Sequence, residues 1–137
     1  MWNPVVRLWA VRVILILGTL LYLRIGVRFM LDPAAPMARF GIELTRPESM
    51  TTIRTLVGAL FMGMGTTAAY GLFVRRRTVA CLWVLATFIF FAVAGRTLGV
   101  YLDGGTDLNL SELRGEATAL ALYIIALNIV PRPAKAE

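Results

Sequence analysis

The residues of this chain that could do chemistry are guanidinium and carboxylate groups that fall at one depth in long apolar segments. Counting about 1.5 Å per residue inward from the expected helix ends puts a charged side chain on each of four helices at about 9 to 10 Å. These side chains are Arg24, Arg54, Arg96 and Glu116. Arg28 lies one turn above Arg24, and Glu112 lies one turn above Glu116, on the same helix faces.

The charges of this layer need partners, because they lie within membrane-spanning helices. A lone arginine in a membrane-spanning helix costs about 2.5 to more than 10 kcal/mol, so such side chains pair, line water or face a bundle interior. Four arginines against two glutamates leave two positive charges without a helix-borne partner. Three interpretations stay open. Asp32 and Glu43 close an ion-pair network, the layer is an outward-facing cavity for a lipid phosphate or small carboxylate, or it contacts another membrane subunit.

Other chemistry has little support in the sequence. Nearby arginines favour the ionised forms of Glu112 and Glu116, which disfavours a proton shuttle. The chain has no histidine and a single cysteine, Cys81, so zinc, di-iron and histidine-ligated haem sites and Ser-His-Asp or Cys-His catalysis are excluded or nearly so. We expect no catalytic residues, no metal and no cofactor, and an enzyme is the least favoured function class.

Composition indicates the elements that must position this layer. Hydrophobic residues make up 58% of the 137 residues and charged residues 16%, whereas soluble domains are about half apolar and a quarter charged. The mean hydropathy is +0.74. These values exclude a soluble fold. The length of the chain allows one domain, and since about 20 apolar residues cross a bilayer, we expect this domain to span the membrane several times.

The apolar segments predict an all-α, integral membrane, four-helix bundle with up-down-up-down topology. The expected helices are about 5–31, 47–74, 78–102 and 110–130, with an outer link at 32–46 and a polar tail at 131–137. Thr45, Pro47 and Glu48 predict the start of the second helix, and Asn109 is the expected cap of the fourth.

Charge sorting predicts the orientation. One end of the expected bundle carries seven basic residues and one acidic residue, whereas the other carries seven of each. Because lysine and arginine accumulate on the cytoplasmic side, both termini and the Arg75–Arg77 turn are expected in the cytoplasm. Because the distribution of the basic residues is explained by membrane orientation, it does not indicate nucleic-acid binding. The turn serves orientation alone or also attracts anionic lipid headgroups.

A line of small residues predicts a helix-packing face on the second helix. Such residues recur every four positions and let another backbone approach closely. Packing within the bundle is favoured over a homodimer surface. The face consists of Thr55, Ala59, Gly63, Thr67 and Gly71.

Short motifs in a fixed order suggest a family. Gly26 to Phe29 runs into Asp32-Pro33, Phe40-Gly41-Ile42 follows, and Gly95-Arg96 precedes Asp103-Gly104. With Arg54, Gly58, Glu112 and Glu116, this pattern resembles the small four-helix bacterial membrane proteins catalogued as domain of unknown function 4345. A distant similarity to the DoxX-like four-helix proteins, which accompany redox systems, is also expected. The resemblance implies a compact membrane bundle in which the charged outer positions matter, and no assigned reaction.

With the bacterial source that the resemblance implies, the leading functional hypothesis is a non-enzymatic, multi-pass protein of the bacterial inner membrane. It would act as an accessory or assembly subunit of a larger membrane complex, with small-residue and aromatic faces as helix contacts. The alternative is a binder or carrier of an anionic small ligand or lipid headgroup through an outward-facing arginine cavity. The expected partners are membrane lipids and other membrane protein subunits.

Overall fold

A computed structural model describes residues 3–131, and the regular structure in this range is helical throughout. A π-helical turn at Arg54–Gly58 joins α3 to α4, and a 3-10 turn at Arg75–Arg77 joins α4 to α5. The predicted all-α class is confirmed. Trp2 and the predicted tail from Arg132 onward lie outside the described residues. The helices are α1 (Pro4–Leu31), α2 (Ala34–Ala38), α3 (Pro47–Ile53), α4 (Ala59–Phe73), α5 (Thr78–Asp103) and α6 (Asp107–Ile129).

Three helical stretches are long and apolar enough to cross a membrane: Pro4–Leu31, Pro47–Phe73 and Arg75–Asp103. Many of their large apolar side chains are exposed on the protein surface, among them Leu20 and Phe91. A bilayer accepts such a surface because acyl chains are as apolar as the side chains. The chain is therefore a membrane protein. Its remaining long helix, α6, is less apolar because its first ten residues carry four charges.

The core forms where the four long helices meet. α1 packs along α4 and also touches α6, while α5 packs between α4 and α6. Apolar side chains from every one of these helices fill the centre, and two tyrosines, Tyr22 and Tyr123, are buried among them beside Gly18. The most completely buried apolar side chains of this cluster are Val11, Leu15, Ala68, Leu82, Leu85 and Ala126.

Glycines bring α1 and α4 into close contact. A Cβ atom at Gly26 would lie 2.8 Å from the backbone nitrogen of Met62, and one at Gly65 would lie 2.9 Å from that of Leu23. Distances this short leave no room for any side chain, so these positions set the separation of the two backbones. At the end of α1, the contact is looser: a Cβ at Gly58 would lie 3.0 Å from the Sδ atom of Met30 and 3.4 Å from its backbone nitrogen.

The predicted small-residue face lies largely elsewhere. Thr55, Ala59 and Gly63 are exposed, Thr67 is half-buried, and only Gly71 is buried, against Cys81 of α5. The contact with α1 is made instead by Gly58 and Gly65. These two positions are seven residues apart, a spacing that also returns to nearly the same side of a helix.

Two helix starts use caps other than those predicted. At α3 the Ser49 hydroxyl accepts a hydrogen bond from the Arg46 amide at 3.3 Å and donates one to the Arg46 carbonyl at 2.7 Å. At α6 the Thr106 hydroxyl accepts from the Asn109 amide at 3.2 Å. α6 therefore begins at Asp107, one turn before the start that an Asn109 cap predicts.

Candidate functional site at the two ends of the helices

The strongest polar contact joins α5 to α6. Arg96 donates to Glu116 through two nitrogens, with Nε to Oε2 at 2.8 Å and Nη2 to Oε1 at 2.7 Å. Both side chains are largely buried, with exposed fractions of 24% and 21%. A bidentate, charge-assisted pair of this kind is strong and directional. It neutralises one arginine and one glutamate of the predicted layer inside the protein.

The outer link supplies an arginine to the layer. Arg39, which follows α2, donates from Nη2 to Oε1 of Glu112 at 3.1 Å. Its side chain is 62% exposed, so this pair is weaker than the Arg96 pair. Sequence reasoning looked for link acids to neutralise helix arginines and missed this opposite arrangement. The available signal was a single arginine between Pro36 and Phe40 in an otherwise apolar stretch.

The two predicted link acids take other positions. Asp32 caps α2, because its Oδ1 accepts from the amides of Ala34 at 3.1 Å and Ala35 at 3.4 Å. Glu43 is exposed and forms no ion pair within the part of the chain that the structure describes. The layer is not completed by link carboxylates in this arrangement.

Arg54 binds a backbone group instead of a carboxylate. Its Nε donates to the Met30 carbonyl at 3.0 Å, which places a positive charge at the C-terminal end of α1. A cation there interacts favourably with the helix dipole. The same type of contact occurs at the opposite end of the protein, where Arg7 Nε donates to the Ile129 carbonyl of α6 at 2.8 Å.

Arg24 and Arg28 lie on the outward surface of α1. Both side chains are exposed, and neither forms an ion pair or a side-chain hydrogen bond with any described residue. At 3.6 residues per turn they point about 160° away from Gly26, which faces α4. Of the eight residues of the predicted layer, six on the helices and two in the outer link, only Arg96 and Glu116 are therefore in direct ionic contact with each other.

A cavity of about 630 Å³ opens at the other end of the helices. We call this region the basic end and define it as residues 3–15, 71–79 and 129–131. Its apolar wall includes Leu8 and Leu72, and three arginines line it: Arg12, Arg75 and Arg76. Sequence reasoning noted the Arg75–Arg77 turn but not that it borders a cavity.

A second apolar groove, of about 500 Å³, lies between α5 and α6. Aromatic side chains dominate its surface, with Trp83, Phe90 and Phe91 lining it. All three are exposed. The groove and its aromatic side chains therefore lie on the outer surface of the protein.

One family model matches this chain. It is described as domain of unknown function (DUF4345) and covers residues 10–110. The chain belongs to this family. No curated protein and no solved structure matches it. The matched range includes Arg24, Arg28, Arg54 and Arg96, whereas Glu112 and Glu116 lie beyond its end.

The family description assigns no reaction. The expected distant similarity to DoxX-like proteins stays a prediction. We define the acidic end as residues 24–54 and 96–116 and name it for the seven of the eight acidic residues that lie there. It holds both ion pairs of the described residues and also the exposed Arg24 and Arg28. The basic end holds the cavity.

Proposed function

We propose that this chain is a four-helix, up-down-up-down protein of the bacterial inner membrane, with both termini in the cytoplasm. The contacts of α6 with α5 and α1 support it as the fourth span, since the Arg96–Glu116 pair offsets charge that would oppose insertion. The excess of arginine at the basic end supports the orientation. A periplasmic reporter such as alkaline phosphatase is expected to be active when fused after Gly104 and inactive after Arg77, and the reverse pattern would overturn this orientation.

Within that membrane, the proposed role is a non-enzymatic accessory or assembly subunit of a larger complex. The observation that carries this role is the outward position of Arg24 on α1. It lies about 10 Å from the helix end at Leu31, counted at 1.5 Å per residue. Arg28, nearer that end, can extend to the interface. A charge at the depth of Arg24 calls for a polar partner, and none of the described residues supplies an ionic one.

Two exposed faces support helix contacts with other subunits. Ala59 and Gly63 on α4 leave a shallow surface on which a second helix could pack closely, and a Cβ at Gly63 meets nothing within 4 Å. The aromatic groove between α5 and α6 offers a larger apolar contact area. A partner helix with a carboxylate at the level of Arg24 would neutralise the guanidinium in the membrane.

A photo-crosslinking residue at Leu20 tests this role in native membranes. Leu20 is 63% exposed and lies one turn below Arg24, whereas Leu98 on α5 is 57% exposed and serves as the matched control. We expect a defined protein adduct from position 20, lost in Arg24→Gln, and only lipid adducts from position 98. Lipid adducts alone at position 20, together with a single-chain mass in mild detergent, would contradict an accessory role.

The alternative function, binding of an anionic ligand by the outer arginines, has less support. Arg96 already uses Nε and Nη2 on Glu116, and Arg54 uses Nε on the Met30 carbonyl. Two guanidinium groups engaged in this way have fewer donors left for an anion.

A further inference from the structure

We infer that the cavity at the basic end is a binding site for one anionic phospholipid. Its phosphate would lie against Arg75 and Arg76, with Arg12 beside it, and an acyl chain would follow the apolar wall. This proposal rests on the protein being in a membrane and not on the accessory role, so the two can fail separately.

The shape of the cavity suits an amphiphile. Its lining runs along α1 from Pro4 to Leu15, about 17 Å at 1.5 Å per residue. Most of the wall is apolar, including Leu8, Leu72 and Val79, while guanidinium groups come from only a few positions. The volume of about 630 Å³ is in the usual range for a ligand pocket, roughly 300 to 1,000 Å³. A soluble anion would leave this long apolar wall uncovered.

The charge of the cavity selects for an anion. Arg12, Arg75 and Arg76 form no ion pair with any described residue, and both ion pairs of the described chain lie at the acidic end. The guanidinium carbon of Arg12 lies 5.4 Å from the centre of the ring of Trp9, an exposed side chain that does not itself line the cavity, so this cation–π contact leaves the charge of Arg12 uncompensated. Basic pockets between membrane helices bind anionic headgroups for the same reason.

Nearby arginines supply the controls. Arg7 is already bound to the Ile129 carbonyl, so it is part of the fold. Arg77 belongs to the same turn as Arg75 and Arg76 and is exposed like them, but it does not line the cavity. A purely electrostatic attraction to the turn would use all three arginines alike, whereas a site in the cavity would not use Arg77.

Native mass spectrometry of the full chain can separate these cases. The protein is released from mixed micelles containing equal amounts of dioleoylphosphatidylglycerol and dioleoylphosphatidylcholine, which share their acyl chains and differ in headgroup charge. We expect one phosphatidylglycerol to be retained preferentially. Each arginine near a headgroup contributes about fivefold in affinity, so Arg75→Gln with Arg76→Gln should reduce retention about 25-fold. Arg77→Gln should leave retention within about twofold of the unchanged protein.

A second variant tests the apolar part of the site. Leu8→Trp fills the cavity without changing its charge, and we expect it to abolish retention while circular dichroism shows an unchanged helix content. Equal losses in Arg77→Gln and in the double variant would overturn the proposal, because the turn would then act only as a charged surface. Full retention in Leu8→Trp would also overturn it.

Two further measurements test whether free phosphate or the chain's own tail occupies the cavity instead of a phospholipid. Millimolar inorganic phosphate is expected to leave the lipid bound, and displacement as complete as that by excess phosphatidylglycerol would assign the site to free phosphate instead. If the full chain retains no phosphatidylglycerol and deletion of residues 132–137 restores retention, the cavity belongs to the chain's own tail. Either result would overturn the proposal.

Discussion

The two ends of the helices use arginine differently. At the acidic end, Arg96 pairs with Glu116, Arg39 pairs with Glu112, and Arg54 caps α1. At the basic end, only Arg7 has such an acceptor among the described residues, while three arginines line a cavity. Three arginines of the acidic end therefore join parts of the fold, although Arg24 and Arg28 there face outward. The arginines that line the cavity of the basic end are the ones that we propose bind a ligand.

The largest effect in this comparison is expected at the Arg96–Glu116 pair. Arg96→Leu leaves Glu116 as an uncompensated, largely buried charge, and such a loss destabilises by about 3 kcal/mol. The double variant Arg96→Leu with Glu116→Leu removes both charges and should recover most of that loss. Unfolding in detergent, followed by circular dichroism as sodium dodecyl sulfate increases, measures the free energy of unfolding.

The exposed Arg39–Glu112 pair is the control for this measurement. Arg39→Leu should cost only about 0.5 kcal/mol, because exposed ion pairs contribute little. If Arg39→Leu and Arg96→Leu reduce stability equally, burial does not distinguish the two pairs. The Arg96–Glu116 pair would then contribute no more to the fold than an exposed ion pair does.

A smaller effect is expected at the contact that connects the two ends, the α1–α4 interface. Gly26→Ala forces a methyl group to within 2.8 Å of the Met62 backbone nitrogen, and such overpacking costs about 2 kcal/mol. Gly63→Ala meets nothing within 4 Å and should be neutral or stabilise the helix by about 0.5 kcal/mol. The same unfolding experiment compares them. Equal destabilisation by both would contradict the assignment of Gly26, and not Gly63, to the interface.

These glycines also show what the sequence could and could not predict. The all-α class, the family and the membrane character followed from composition and motif order. The packing face could not be predicted, because small residues recur along the π-helical turn and α4 at spacings of both four and seven. In a membrane helix the lipid-facing side is as apolar as the core, so hydrophobic periodicity does not indicate which side faces inward.

The charged layer illustrates the same limit. Counting along each helix gave the height of Arg96 and Glu116, and the structure brings these two together. The count gives no rotation about the helix axis, and Arg24, at a similar height, lies on the outward surface. The position of the Arg54 side chain depends on a further local feature, the π-helical turn that begins at this residue and packs against the end of α1.

Small effects on stability are expected at the basic end, and they bear most directly on the comparison. Arg7→Gln removes a charged hydrogen bond to the end of α6 and should cost about 1 kcal/mol. Arg75→Gln with Arg76→Gln removes two charges that join no described elements, so the free energy of unfolding should change by less than about 0.5 kcal/mol.

Added lipid should reverse this ranking. A ligand that binds only the folded protein at a hundredfold excess over its Kd stabilises it by about 2.7 kcal/mol. Phosphatidylglycerol should therefore stabilise both the unchanged protein and Arg7→Gln by this amount, and the double variant, which binds about 25-fold more weakly, by only about 1 kcal/mol. A double variant that is unstable without lipid would show that Arg75 and Arg76 hold the fold together. The two ends would then use their arginines in the same way, and the contrast between them would disappear.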